Sequence, residues 1–256
     1  MQTVAIAQQK GGTGKSTTAH AIGAGLARHG NRVLFVDLDP QGNLSYILGA
    51  DQSGATVLDV LNCTATASKA AQQIRGAEAL PGMGGAAIIP ASPYLAGADA
   101  TITGTRREYL LAEALKPVTG DYDYCILDTP PALGILTVNA LTAADRVIIP
   151  CLPDVLSIQA LGQIAETIAG IKANCNAGLS IAGILLTRYT PRQNLTRDTA
   201  GILEAAAAKI GTHLLETRIR ETVSLREAQA MGQDIYTYNP RSAGAEDYDK
   251  LIAEIF

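Results

Sequence analysis

Between residues 8 and 18 the chain reads QQKGGTGKSTT and carries two lysines five residues apart, Lys10 and Lys15. A glycine-rich turn that closes on a lysine and a hydroxyl residue can cradle phosphates. Its backbone N–H groups converge on the anion, and the helix behind it adds the positive end of its dipole. Here Gly11, Gly12, Thr13 and Gly14 make the turn, because glycine reaches backbone conformations closed to other residues. Lys15 would reach the β- and γ-phosphates of a nucleotide, and the Ser16 hydroxyl would ligate Mg2+. The usual spacing, G-x-x-x-x-G-K-[ST], wants glycine at position 9, where this chain has Gln9 followed by the additional Lys10. Three carboxylates could face such a loop: Asp37 and Asp39 in VDLDPQGN, and Asp128 in YCILDTPP. An aspartate closing an apolar strand is the usual magnesium partner in this chemistry. Taken singly, each could equally begin a turn, as Asp-Pro sequences often do.

Those residues need strands that end beside the loop. Short apolar runs alternate with longer helix-periodic segments, which predicts an α/β fold: a doubly wound, mostly parallel sheet with helices on both faces. Strands are predicted at residues 3–7, 32–39, 86–91, 123–128, 146–151 and 180–186, with a short one at 213–217. Helices are predicted over 16–29, capped by Gly30, and over 109–115, 158–172, 195–210 and 245–255. The Ala- and Gly-rich stretch 51–85 reads as short helices and loops. The three acids then close parallel strands at the sheet edge where open α/β proteins bind ligands.

A chain of 256 residues with 47% hydrophobic side chains can bury a large core. A net charge of −4 supplies no overall basic field, so any nucleic-acid contact must come from a local patch. Cys63, Cys125, Cys151 and Cys175 form no C-x-x-C pair and read as reduced, mostly buried thiols of a cytoplasmic protein. No apolar run has the length of a membrane span, and no signal peptide is recognisable.

The motifs QQKGGTGKSTT, VDLDPQGNLS and YCILDTPPALG resemble those of the ParA/MinD group of deviant P-loop ATPases, most closely the short, Soj-like ParA partition ATPases. The likeness continues through PCLPDVLSIQAL, ILLTRYTPRQNL and LREAQAMGQDIYTYNPRSAGAEDYDKL, and so covers nearly the whole chain. It implies one ATPase domain over residues 1–256, with ATP and Mg2+ as cofactors. In that family the lysine matching Lys10 reaches across a face-to-face homodimer to the partner's ATP. A cation aimed at the transferring phosphate stabilises it there as an arginine finger does in other NTPases. The resemblance also implies that Asp39 positions the attacking water, Asp37 belongs to the magnesium shell and Asp128 holds a magnesium-bound water. The TPP after Asp128 would sense the γ-phosphate, Thr17 would touch the α-phosphate, and Thr187 and Arg220 would lie near the base.

Relatives that share this ATP site do different work. The C-terminal DYDKLIAEIF lacks the basic amphipathic face of membrane-bound MinD proteins, so no membrane role is expected. Cys125 and Cys151 sit inside apolar strands and are not placed to bridge an iron–sulfur cluster. With the loop this early, the N-terminal helix-turn-helix domain of larger ParA proteins is not expected. The expected function is partition of plasmid or chromosome DNA, by an ATP dimer that binds DNA non-specifically on the nucleoid and is stimulated by a ParB-type partner. DNA contacts are sought among Arg188, Arg192, Arg197, Arg218, Arg220 and Arg226, which could bind phosphates without reading sequence. Arg192 fits the family position best, while Ser224 stands where Soj-like proteins often have a DNA-binding arginine. Acidic neighbours, Asp198, Glu216, Glu221 and Glu227, weigh toward a solvated mixed-charge surface. Two alternatives remain: a positioning ATPase for a protein complex, and a metabolic amidotransferase or synthetase. The second would need its own catalytic constellation, and His20, His29 and His213 form no recognisable one.

Overall fold

The computed structural model describes residues 1–74, 85–190 and 194–256. Its strands are β1 (Gln2–Ile6), β2 (Val33–Asp37), β3 (Gln72–Gln73), β4 (Ala86–Ile89), β5 (Tyr124–Asp128), β6 (Arg146–Cys151), β7 (Ser180–Tyr189) and β8 (Leu214–Arg220). They form one sheet in the order β3-β4-β2-β5-β1-β6-β7-β8. Pairing is parallel except between β3 and β4. The central strands VLFVD and YCILD are near-continuous apolar runs because both of their faces are covered.

The helices are α1 (Lys15–Arg28), α2 (Asn43–Ile47), α3 (Val57–Leu61), α4 (Ala67–Ala70), α5 (Ala98–Thr101), α6 (Leu110–Leu115), α7 (Ile135–Ala143), α8 (Val155–Asn174), α9 (Asn194–Lys209), α10 (Val223–Ala230), α11 (Ile235–Tyr238) and α12 (Ala243–Ile255). Alternating side chains along each strand feed two separate cores. On one face Leu34, Val36 and Leu127 pack with Leu141 of α7, Ile164 of α8 and Leu203 of α9. On the other, Phe35, Ile126 and Ile148 pack with Ile22 of α1 and with Tyr248 and Leu251 of α12. Helix α1 lies so close to β2 that a Cβ on Gly23 would collide with the Phe35 ring. Its end is sealed as the sequence predicts: Gly30 takes φ +87°, and the N–H groups of Gly30 and Asn31 donate to the carbonyls of Ala27 and Leu26. The apolar side of α12 is buried in this core. Among the described residues no helix is long and apolar enough to cross a membrane.

The predicted strands and long helices are present with ends shifted by a few residues. The short β3 was hidden in the stretch read as helices and loops, and it is the antiparallel exception. Helix α7 is missing from the sequence reading because ILTVNALTA is apolar on most sides and shows no helical period. The thiols also differ from expectation: Cys125 and Cys151 are buried, whereas Cys175 is half-buried and Cys63 exposed.

Candidate functional site

Strand β1 delivers the glycine turn to the carboxyl edge of the sheet, and α1 starts immediately behind it. Gly12 (φ +73°) and Gly14 (φ +85°) hold left-handed backbone that a side chain would strain. The turn is tied down by the Thr187 hydroxyl at the end of β7, which lies 2.9 Å from the Thr13 carbonyl and 3.2 Å from that of Cys151. A cavity of about 480 Å³ opens over it, lined among others by Lys15, Ser16, Thr17, Asp39, Arg188 and Gln229. This is the size range of a small-molecule site. A smaller pocket of about 70 Å³ adjoins it, reached past Thr17 and Thr187 and walled by Ile219, Arg220 and Tyr248.

The carboxylates meet the loop as the strand ends demand. Asp37 and Asp128 are register partners on β2 and β5, and Ile6 of β1 is paired with Asp128. Both acids are fully buried, while Asp39 lines the cavity and accepts the Gln41 N–H at 3.0 Å. Asp37 accepts the Ser45 hydroxyl (2.7 Å) and the N–H groups of Ser45 and Asp39. Burial pushes its pKa up to about 6 against the pull of those Ser45 bonds. Asp128 is pushed well above the ordinary carboxylate range, first by burial and then by the charge of Asp37. Both Asp128 oxygens are buried without a hydrogen-bond partner. Lys15 is 7% exposed; burial lowers its pKa, and Asp128 and Asp39 raise it again.

Buried acid oxygens without partners, beside a lysine and a serine hydroxyl, form an all-oxygen donor set that suits a hard cation such as Mg2+. Among the described residues no group of three or more His, Cys, Asp or Glu could hold a metal ion by itself. Magnesium bound beside phosphates needs only one or two protein oxygens.

Lys10 does not join this arrangement. Its ammonium lies 2.7 and 2.5 Å from the two carboxylate oxygens of Asp154 and 3.5 Å from the Ser157 hydroxyl. Asp154 also caps α8, accepting the Ser157 N–H at 2.8 Å. Against the cost of burial, the hydrogen bonds from Lys10 and Ser157 hold the Asp154 carboxyl below its usual pKa. Beside Lys10 the surface presents Gln9, Gln159 and Leu156, the last 63% exposed.

The arginines separate into distinct environments. Arg188 is exposed at the end of β7, in left-handed backbone (φ +51°), and lines both cavities. Arg226 is exposed on α10 and lines the smaller pocket. Arg220 lines that pocket too, but its guanidinium is engaged by Asp247 (2.6 to 3.0 Å) and Glu246 (2.9 Å) of α12. Arg218 lies over the Tyr189 ring at 5.0 Å. Arg192 falls outside the described residues, and Arg197 lies on α9. Asp154 and Gln229 were missed in the sequence; Asp154 had a readable signal, since Asp-Val-Leu-Ser before an apolar run is a helix-capping pattern.

Parallel sheet, phosphate turn and acid-lined cavity define a P-loop nucleotide-binding protein. Residues 1–181 match the family described as an AAA domain. The chain is 37% identical over 260 residues to the chromosome partitioning protein ParA of Caulobacter vibrioides, covering 100% of this chain and 94% of that one. It is 38% identical over 265 residues to the sporulation initiation inhibitor protein Soj of Bacillus subtilis, covering 98% and 97%. Among solved structures, a cobyrinic acid a,c-diamide synthase from Mycobacterium smegmatis with bound ATP analog and magnesium superposes with a TM-score of 0.83 at 35% identity, covering 99% and 93%. The chain belongs to the ParA/Soj family of P-loop ATPases.

Proposed function

We propose that the protein is a cytoplasmic partition ATPase that binds Mg·ATP in the larger cavity, closes as a face-to-face homodimer, and holds DNA non-specifically in that state. A ParB-type partner stimulates hydrolysis and releases the DNA. The name of the Caulobacter relative, a chromosome partitioning protein, supports partition. The observation that carries the dimer is the divergence of the two loop lysines: Lys15 is buried among the acids of its own cavity, while Lys10 points out of it, onto Asp154. A cation in that position is poised to serve a nucleotide other than its own subunit's.

In the cavity, Gly11 to Gly14 and Lys15 orient the phosphates, and Ser16 with Asp37 and Asp128 would hold Mg2+, which neutralises charge developing on the transferred phosphate. Asp39, the acid on the cavity wall, positions the water. The adjoining pocket by Thr187 and Arg220 would take the base. Because Arg220 is neutralised by α12, we assign the DNA contacts first to Arg188 and Arg226, together with Arg192. Co-sedimentation with DNA at low salt tests this reading: retention with ATP and loss with ADP or no nucleotide is expected. Retention in none of the three states would favour a protein cargo.

The name of the Mycobacterium smegmatis structure raises a second reading, an ATP-dependent synthetase. His20 offers it no acid–base group, since burial drives its pKa down to about 4 despite the nearby Asp234.

A further inference from the structure

One wall of the nucleotide cavity is explained neither by the glycine turn nor by the acids. Gln229 on α10 lines both the larger and the smaller cavity. Its side-chain Nε2 donates a 2.6 Å hydrogen bond to the Thr17 hydroxyl on α1. A threonine hydroxyl owns one proton and two acceptor lone pairs. With an amide N–H directed at its oxygen, the Thr17 proton is left for another acceptor, and Thr17 itself lines the cavity. An acceptor at Gln229 in place of the N–H would claim that proton.

Helix α10 is also fixed by contacts that lie outside the larger cavity. Leu225 packs against α12 so tightly that a Cβ on Gly244 would stand 2.8 Å from its Cγ. Glu227 accepts the Tyr238 hydroxyl at 3.1 Å. The bond from Gln229 joins α10 to the loop helix, and Arg226 lies on the same short helix.

We propose that Gln229 is a positioning residue for the nucleotide. It presents the Thr17 hydroxyl as a donor to a phosphate oxygen, and it ties α10 to an occupied cavity. The assignment rests on the reading of the cavity as an ATP site. Mg·ATP titrations on the wild type, Thr17→Val, Gln229→Ala, Gln229→Glu and the double variant Thr17→Val/Gln229→Ala test it.

Gln229→Ala should weaken binding roughly three- to tenfold, the worth of one hydrogen bond. Gln229→Glu should weaken it further, because the carboxylate accepts the Thr17 proton and sets a negative charge near the phosphates. In the Thr17→Val background Gln229→Ala should cost nothing more. Equal weakening in both backgrounds is what a merely structural glutamine gives, and it would overturn the proposal. So would unchanged affinity in Gln229→Ala beside a weakened Thr17→Val. A wild type that binds no Mg·ATP would remove the reading of the cavity, and the proposal with it.

Discussion

Lys10 and Lys15 stand on one loop, five residues apart, and fold into opposite surroundings. Lys15 is desolvated beside Asp128 and Asp39, whose charges favour its ammonium against the cost of burial. Lys10 is only partly buried, and its ion pair with Asp154 is of a kind worth about 0.2 to 1 kcal/mol. The difference comes from the wall each lysine faces, which is the strand ends of β2 and β5 for one and the first turn of α8 for the other. A buried cation suits a permanent duty in its own cavity. A partly exposed one, paired with a single carboxylate, can be exchanged for a stronger anion when a partner brings one within reach.

Substitutions can break that contrast. Lys10→Ala should lower hydrolysis by the ATP dimer on the order of a thousandfold, the scale of an arginine-finger loss. Phosphate-release assays would show this, while Mg·ATP affinity stays within roughly threefold, since the lysine lies outside its own cavity. Lys15→Ala should instead reduce Mg·ATP affinity on the order of a hundredfold in calorimetric titration. If the two variants lost affinity equally, the lysines would share one duty.

The buried side of the loop helix can be probed without touching either lysine. His20 has its pKa lowered from 6.5 to about 4 by burial, partly offset by Asp234. Below pH 6.5 the unfolded chain takes up a proton that the folded state refuses until about pH 4, so stability falls as pH drops through that window. Urea unfolding at pH 7 and pH 5 should show a loss on the order of 2 kcal/mol from this group, and His20→Gln should flatten the slope. The smallest effect is expected for Asp154→Asn, which keeps the α8 cap but removes the charge that holds Lys10. The ATP dimer should tighten by up to about fivefold in analytical ultracentrifugation, the scale of one exposed ion pair; a weaker dimer would mean that Asp154 prepares Lys10 instead of restraining it.

The sheet and the phosphate turn were legible because their signals are local. Apolar runs such as VLFVD mark buried strands, and the glycines mark a turn that only they can make. The convergence of Asp37, Asp39 and Asp128 was legible too, since Asp37 and Asp128 close neighbouring strands that end at the same edge and Asp39 follows Asp37 by two residues. What escaped depends on pairings distant in sequence. Nothing local says that Asp154 meets Lys10 across 144 residues, or that Gln229 meets Thr17 across 212. Arg220 shows the same limit: its sequence neighbours give only a mixed-charge surface, and only the packing of β8 on α12 brings Asp247 to neutralise it.

Whether Lys10 serves the ATP of the other subunit is decided by mixing two inactive variants. Lys10→Ala keeps Asp39, and Asp39→Ala keeps Lys10. In a mixed dimer, the cavity of the Lys10→Ala protomer has its own Asp39 and can receive Lys10 from its partner. If Lys10 acts across the dimer, the mixture recovers ATP hydrolysis that neither variant shows alone. A mixture that forms dimers yet stays as inactive as its components would place Lys10 in its own subunit's chemistry and rule out the cross-subunit role.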